Sequence, residues 1–221
     1  MLGNPYLGTT SGVPARGPEA ITFIPRYATA LLVRAFELGS SFTLFTWCWR
    51  TFRLGWLWYD DGAGEIADFI HLDPKSKTPR FIHVKAAGSA ERTRQISVGP
   101  YEIVCSQAHK NLRYLERIEL TDALDAKLKR SKIRRAWRDG SKLAKSEWFK
   151  LPVAITDVPC SRLSKAVIIV QPHVTNEMLK SMNERDVMRA RQLNVLLNSV
   201  KAEVNRLGAD FAVYVPQERE K

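Results

Sequence analysis

Cysteine is scarce in this chain and poorly placed for chemistry. The three that occur, Cys48, Cys105 and Cys160, lie far apart. No CxxC pair exists, which excludes a zinc knuckle and a disulfide framework. Each reads as a small buried thiol, and a reducing, cytoplasmic location is expected. Long apolar runs are missing too. The longest one free of charge, 38–49, is interrupted by Ser40, Ser41, Thr43 and Thr46, whereas a membrane span needs roughly 20 apolar residues. The start, Met1-Leu-Gly-Asn-Pro-Tyr6, lacks the basic segment and apolar core of a signal peptide. No membrane partner is expected. Acid is also in short supply: 23 Asp and Glu face 34 Lys and Arg, a formal charge of +11. Such a surplus favours a polyanionic partner, because Lys and Arg neutralise phosphates and release their counterions. Colloidal stability is the blander use of the same charge.

What is present is an ordinary globular composition. With 221 residues, 45% of them hydrophobic, and six Trp, the chain can bury one core and is not a disordered segment. Residues 1–20, rich in Gly, Pro, Thr and Ser, read as a loose lead-in or a piece of a longer neighbour. Residues 21–216 read as a single α/β domain. It has a core at about 55–116, a basic helical insertion at about 122–150 and a closing α/β unit at 165–216.

Ala28 to Leu38 has helical spacing. Gly55-Trp-Leu-Trp-Tyr59 is strand-like and ends in the turn signal Asp60-Asp61-Gly62. A second strand is expected over Glu65–Leu72 and a third over Arg80–Ala86, joined as an antiparallel hairpin. Pro100 opens a helix, a position where proline is at home. A basic helical stretch is expected over Leu124–Lys145. Val167–Gln171 suits a strand buried on both faces. One or two helices follow between Met178 and Leu207, and Phe211–Val215 reads as a last strand beside 167–171. The expected order is α, βββ, α, α, β, α, β.

Strand alternation isolates a set of chemically useful side chains. Phe81, His83 and Lys85 share one face of the third strand. In the second, Asp68 shares a face with Ile66, Ile70 and Leu72. A carboxylate in an aliphatic row needs a partner or a metal, and a closed hairpin sets Asp68 across from the His83 and Lys85 row. Gln107 and Lys110, one helical turn apart, lie on the helix after the third strand. A divalent cation such as Mg²⁺ takes carboxylate, carbonyl, water and phosphate oxygens. Asp68 can anchor it, Lys85 can hold the attacking water and offset charge, and Gln107 can orient water or phosphate. Taken singly, each has a plainer reading: Asp60-Asp61-Gly62 as a turn, His83 as a core histidine, Lys85 as a snorkelling lysine. His71, His109 and His173 have no partner pattern and read as structural or surface residues.

Gly64-Glu-Ile-Ala-Asp68, Ile82-His-Val-Lys85 and Tyr101-Glu-Ile-Val-Cys-Ser-Gln107-Ala together resemble the PD-(D/E)XK, or restriction-endonuclease-like, superfamily. More narrowly, they resemble the nuclease domains that accompany helicases in bacterial anti-phage defence. The resemblance covers about residues 57–112, and more weakly 165–215. It implies a mixed sheet flanked by helices, hydrolysis of DNA with Mg²⁺ or Mn²⁺, and a helicase or targeting partner. By the family pattern Asp68 matches the metal-binding acid and Lys85 the catalytic lysine. Position 83 departs from it: His83 stands where Asp or Glu is usual. Three readings stay open. His83 is a ligand in a Mn²⁺-tolerant site, an imidazole being a poor Mg²⁺ ligand. Alternatively Glu65 or Asp61 supplies the missing carboxylate, with a bulge re-aiming Glu65. Or the site is weakened, and the domain binds without cutting.

The segment 127–145 carries nine Lys and Arg and a single Asp. Like charges this dense repel along a helix, and a polyanion would relieve them. Lys110, Lys127, Lys129, Arg130, Lys132, Arg134, Arg135 and Arg138 are the expected nucleic-acid contacts, made to the backbone rather than to base edges. Trp137 and Trp148 can stack on bases, with core packing the stronger expectation. Two other classes compete with the nuclease: a nuclease-fold module that only binds, and a basic assembly domain docking on an acidic protein.

Overall fold

The computed structural model describes residues 23–25, 41–60, 64–85, 96–130, 135–159, 163–171, 174 and 184–215. The lead-in at 1–20 and the helix expected at 28–38 lie outside these. The described strands are β1 (Phe23–Pro25), β2 (Trp56–Tyr59), β3 (Phe69–Leu72), β4 (Pro79–Val84), β5 (Arg135–Arg138), β6 (Ser141–Lys142), β7 (Ala166–Val170) and β8 (Asp210–Val215). They form one mixed sheet in the order β1-β8-β7-β4-β3-β2-β5-β6. The described helices are α1 (Ser41–Thr51), α2 (Gly99–Lys110), α3 (Arg117–Arg130), α4 (Lys150–Thr156) and α5 (Glu184–Arg206). The class is mixed α/β, a sheet flanked by helices, as the sequence led us to expect.

Alternation along the strands explains how both faces are covered. Trp56, Trp58, Ile70, Leu72, Phe81, Val167, Ile169 and Val213 point to one side, where α2, α3, α4 and α5 bring Tyr101, Val104, Leu120, Leu124, Leu151, Ile155, Leu197 and Val204. The residues between them, Leu57, Phe69, Ile82, Ile168, Val170 and Tyr214, point to the other side, where α1 and the residue after it bring Trp47, Cys48 and Phe52. Side chains two apart share a face and neighbours do not. All five residues of β7 are buried, which suits the central parallel strand between β4 and β8. Each fully buried large apolar side chain contributes about 1.5–3 kcal/mol. Cys48 and Cys105 are buried free thiols; Cys160 lies outside the described residues.

Two expectations about elements are corrected. The second strand does not run from Glu65; it begins at Phe69. Ile66 N–H donates to the Asp60 carboxylate at 2.8 Å, so a side chain takes a donor that a ladder would use. The basic stretch is not one helix to Lys145 either. After α3 ends at Arg130, Arg135–Arg138 and Ser141–Lys142 form an antiparallel hairpin. Its two-residue turn, Asp139-Gly140, has φ of 51° and 81°, the left-handed pair a type I′ turn requires. Strand β5 adds to the edge at β2 and buries Ala136 and Trp137 on opposite faces. The hairpin, the short β1 and helix α4 are thus additions to the expected order.

Candidate active site

The loop from β2 to β3 delivers the key carboxylate. Asp60 N–H donates to the Asp68 carbonyl at 3.0 Å, continuing the β2–β3 pairing past its last ladder pair, Tyr59 with Phe69. The β3–β4 register sets Phe69 opposite Ile82, so Asp68 falls beside His83 and Val84. There Val84 N–H donates to Asp68 Oδ2 at 2.8 Å. This holds a half-buried carboxylate against the strand that carries His83 and leads to Lys85. Lys85 N–H donates to the Val170 carbonyl at 3.1 Å, so the lysine leaves the sheet directly beyond the β4–β7 pairing, with its side chain half-buried.

A second contact joins α2 to the same loop. Gln107 Nε2 donates to Glu65 Oε1 at 3.3 Å, and Asn111 Nδ2 donates to the Glu65 carbonyl at 3.2 Å. Proline in the first turn starts α2, and its buried Tyr101, Val104, Cys105 and Ala108 seat it on the sheet. Tyr101 O–H donates to the Gln171 carbonyl at 3.4 Å, tying the helix to the end of β7. The strict parity expected to turn Glu65 away does not apply, because residues 65–68 are outside the strand.

The electrostatics are uneven. His83 is 2% exposed, and burial pushes its imidazole down to about 4. It is therefore uncharged at neutral pH. The Cys48 thiol on α1 is pushed well up, chiefly by burial, with the charge of Asp68 adding to it.

The structure brings Asp68 next to the His83–Lys85 segment, and Glu65 next to Gln107. It does not assemble Asp68, His83 and Glu65 into a ready-made ligand cage: among the described residues no three His, Cys, Asp or Glu side chains converge to hold a metal ion. Asp61 lies outside the described residues.

The expected nucleic-acid contacts divide. Lys110, Lys129, Arg135 and Arg138 are exposed. Arg138 also lies over the Trp56 ring, 5.0 Å from its centre, and Lys129 lines a shallow pocket with Asp122 and Asp125. Lys127 is placed differently: its ammonium is 2.7 Å from an oxygen of the wholly buried Asp60. Arg130 ends α3, and Lys132 and Arg134 lie outside the described residues. Trp137 and Trp148 are both buried, the latter edge-on to Trp58. His71 is buried and hydrogen-bonded through both ring nitrogens, His109 is exposed, and His173 lies outside the described residues.

Three polar residues around the site escaped the sequence reading. Asp60 was absorbed into a turn signal. Asn111 follows the last residue of α2 and carries no motif. Gln171 is wholly buried next to the end of β4. A polar residue that closes a continuous apolar strand was the one available hint for Gln171. Among the described residues no helix is long and apolar enough to cross a membrane. Comparison with protein-family models, curated proteins and solved structures found no match.

Proposed function

We propose that the chain is a metal-dependent nuclease of restriction-endonuclease-like design, hydrolysing phosphodiester bonds of nucleic acid, DNA foremost. The observation that carries this reading is the hydrogen bond from Val84 N–H to Asp68, which fixes an acid at the mouth of the strand leading to Lys85. The donor set fits a hard cation without a three-ligand cage. Mg²⁺ is usually held by one or two carboxylates, with water and substrate phosphate completing its shell. Asp68 would be the anchor, Glu65 the reserve carboxylate, and the neutral imidazole of His83 a donor better matched to Mn²⁺. When bound, the cation supplies charge neutralisation and a more acidic water.

The protein's own groups do the rest. Lys85 orients the attacking water and offsets the charge that gathers on the phosphate. Gln107, steadied on Glu65, presents a neutral donor and acceptor to water or phosphate. The exposed Lys110, Lys129, Arg135 and Arg138 hold the strand through its backbone. The setting we propose is cytoplasmic, in anti-phage or restriction defence, with a helicase or targeting protein as partner.

A second reading, a nuclease-fold module that binds without cutting, is favoured by His83 in place of an acid and by the lack, among the described residues, of three converging ligand side chains. Incubating supercoiled plasmid and single strands with Mg²⁺, Mn²⁺ or EDTA, for wild type and Lys85→Ala, separates the two. Metal-dependent cutting is expected from the wild type. A loss of about 100-fold or more is expected from the variant, the scale seen when one charge-stabilising donor is removed. Equal rates for the two proteins, or cutting that persists in EDTA, overturn the nuclease. Salt-dependent binding with no cutting selects the second reading.

A further inference from the structure

The opposite end of the β3–β4 hairpin carries a cationic pocket that plays no part in the hydrolytic reading. Its volume is about 500 Å³, and Arg50, Arg53, His71 and Arg80 line it together with Phe52 and Asp73. His71 pairs with Arg80 across the two strands. His71 lies three residues beyond Asp68, about 10 Å at the rise of a strand. Phe52 and the residues of α1 place the pocket on the α1 side of the sheet, whereas Gln107 reaches the candidate site from the α2 side.

The pocket is built, not merely charged. His71 Nε2 lies 2.7 Å from the Leu54 carbonyl, and Arg80 Nη1 lies 3.1 Å from His71 Nδ1. A carbonyl can only accept and a guanidinium only donate, so the ring is the neutral Nε2–H tautomer, assigned from this network. The buried imidazole thus fixes two things at once: the backbone next to Arg53 and the direction of the Arg80 guanidinium. Asp73 accepts from Arg80 Nη1 at 2.8 Å, which fixes the same guanidinium from the other side.

The corner that carries Arg53 is pinned further. Gly55 N–H donates to Asp139 Oδ1 at 2.8 Å, and Asp139 N–H donates to the Gly55 carbonyl at 2.8 Å. Gly55 has φ of 84°, and any Cβ there would run into the Leu72 carbonyl and Pro74. Arg50 and Arg53 are both exposed, and among the described residues neither forms an ion pair. Three guanidinium groups against one carboxylate leave the pocket with two positive charges in excess, a match for a phosphate monoester dianion. Planar guanidinium forks suit phosphate oxygens better than point charges do.

We propose that this pocket binds a phosphate monoester, either the terminal phosphate of a nucleic-acid strand or a free nucleotide. The test is equilibrium binding in EDTA, so that neither metal nor cleavage enters and the result is independent of the nuclease reading. The probes are one oligonucleotide with and without a 5′-phosphate, and a nucleoside with and without its 5′-monophosphate. Each is titrated against the wild type and the double variant Arg50→Gln/Arg53→Gln, whose exposed side chains can be exchanged without opening the core. The wild type should bind at least one phosphorylated probe about tenfold or more tightly than its unphosphorylated counterpart, given the strength of charge-assisted hydrogen bonds. The double variant should lose most of that preference. A preference confined to the oligonucleotide assigns a strand end, and one confined to the mononucleotide assigns a free nucleotide. Equal binding of every phosphorylated and unphosphorylated pair by the wild type, or an undiminished preference in the variant, overturns the proposal.

Discussion

Lys127 shows how burial redirects a charge. It belongs to a run of basic residues that, on charge alone, all read as phosphate contacts. Yet its ammonium meets an Asp60 carboxylate that is fully enclosed, and its own side chain is only 11% exposed. A buried carboxylate stripped of its partner is costly, on the order of 3–5 kcal/mol. Lys127→Ala should therefore lower stability in urea unfolding by about that much. Lys129→Ala, two residues along and exposed, should stay within about 0.5 kcal/mol. Equal effects from the two substitutions would deny the pair its structural role. Asp68 and His83 follow the same logic with a different outcome. The carboxylate accepts a backbone N–H, and the imidazole is kept uncharged by burial. At Asp60, paired with Lys127, charge is used to close the fold.

Among the elements, the β5–β6 hairpin departs most from what its charges suggest. Its turn depends on two left-handed residues. A Cβ on Gly140 would meet only Arg53 Nε, at 3.8 Å, so the cost of a substitution there is conformational, not steric. Gly140→Ala should destabilise the protein by about 1–2 kcal/mol, the penalty of left-handed backbone. A thermal midpoint equal to wild type would show that the turn does not need it. Strand β7 and helix α2 were legible beforehand, because a continuous apolar run and a leading proline each have one natural reading. The start of β3 was not, since Asp60 competes with the ladder for the Ile66 N–H. The hairpin was hidden because basic residues at helical spacing masked the Asp-Gly turn signal between them. For the candidate site, the hairpin alone set Asp68 against the strand that carries His83; alternation did not apply, because residues 65–68 precede β3. The Asp60–Lys127 pair spans 67 positions, and no local pattern reports a contact at that range.

For the whole molecule, one sheet organises two separate clusters of functional groups. On the proposed reading, the Asp68–Lys85 end would serve an anion together with a cation. The Arg53–Arg80 end, under α1, is arranged for an anion alone. The excess of +11 favours encounter with polyanions in general. Everything about hydrolysis depends on Asp68 serving as the anchor for a divalent ion, and that can be measured without any cleavage. Mn²⁺ is titrated into the protein in the presence of a short oligonucleotide, and the free ion is followed by its electron paramagnetic resonance signal, for wild type and Asp68→Asn. Asparagine keeps an oxygen for the Val84 N–H, so the fold and melting temperature should hold. The account predicts a bound Mn²⁺ in the wild type that the variant fails to retain. Equal stoichiometry and affinity in the two proteins would contradict it.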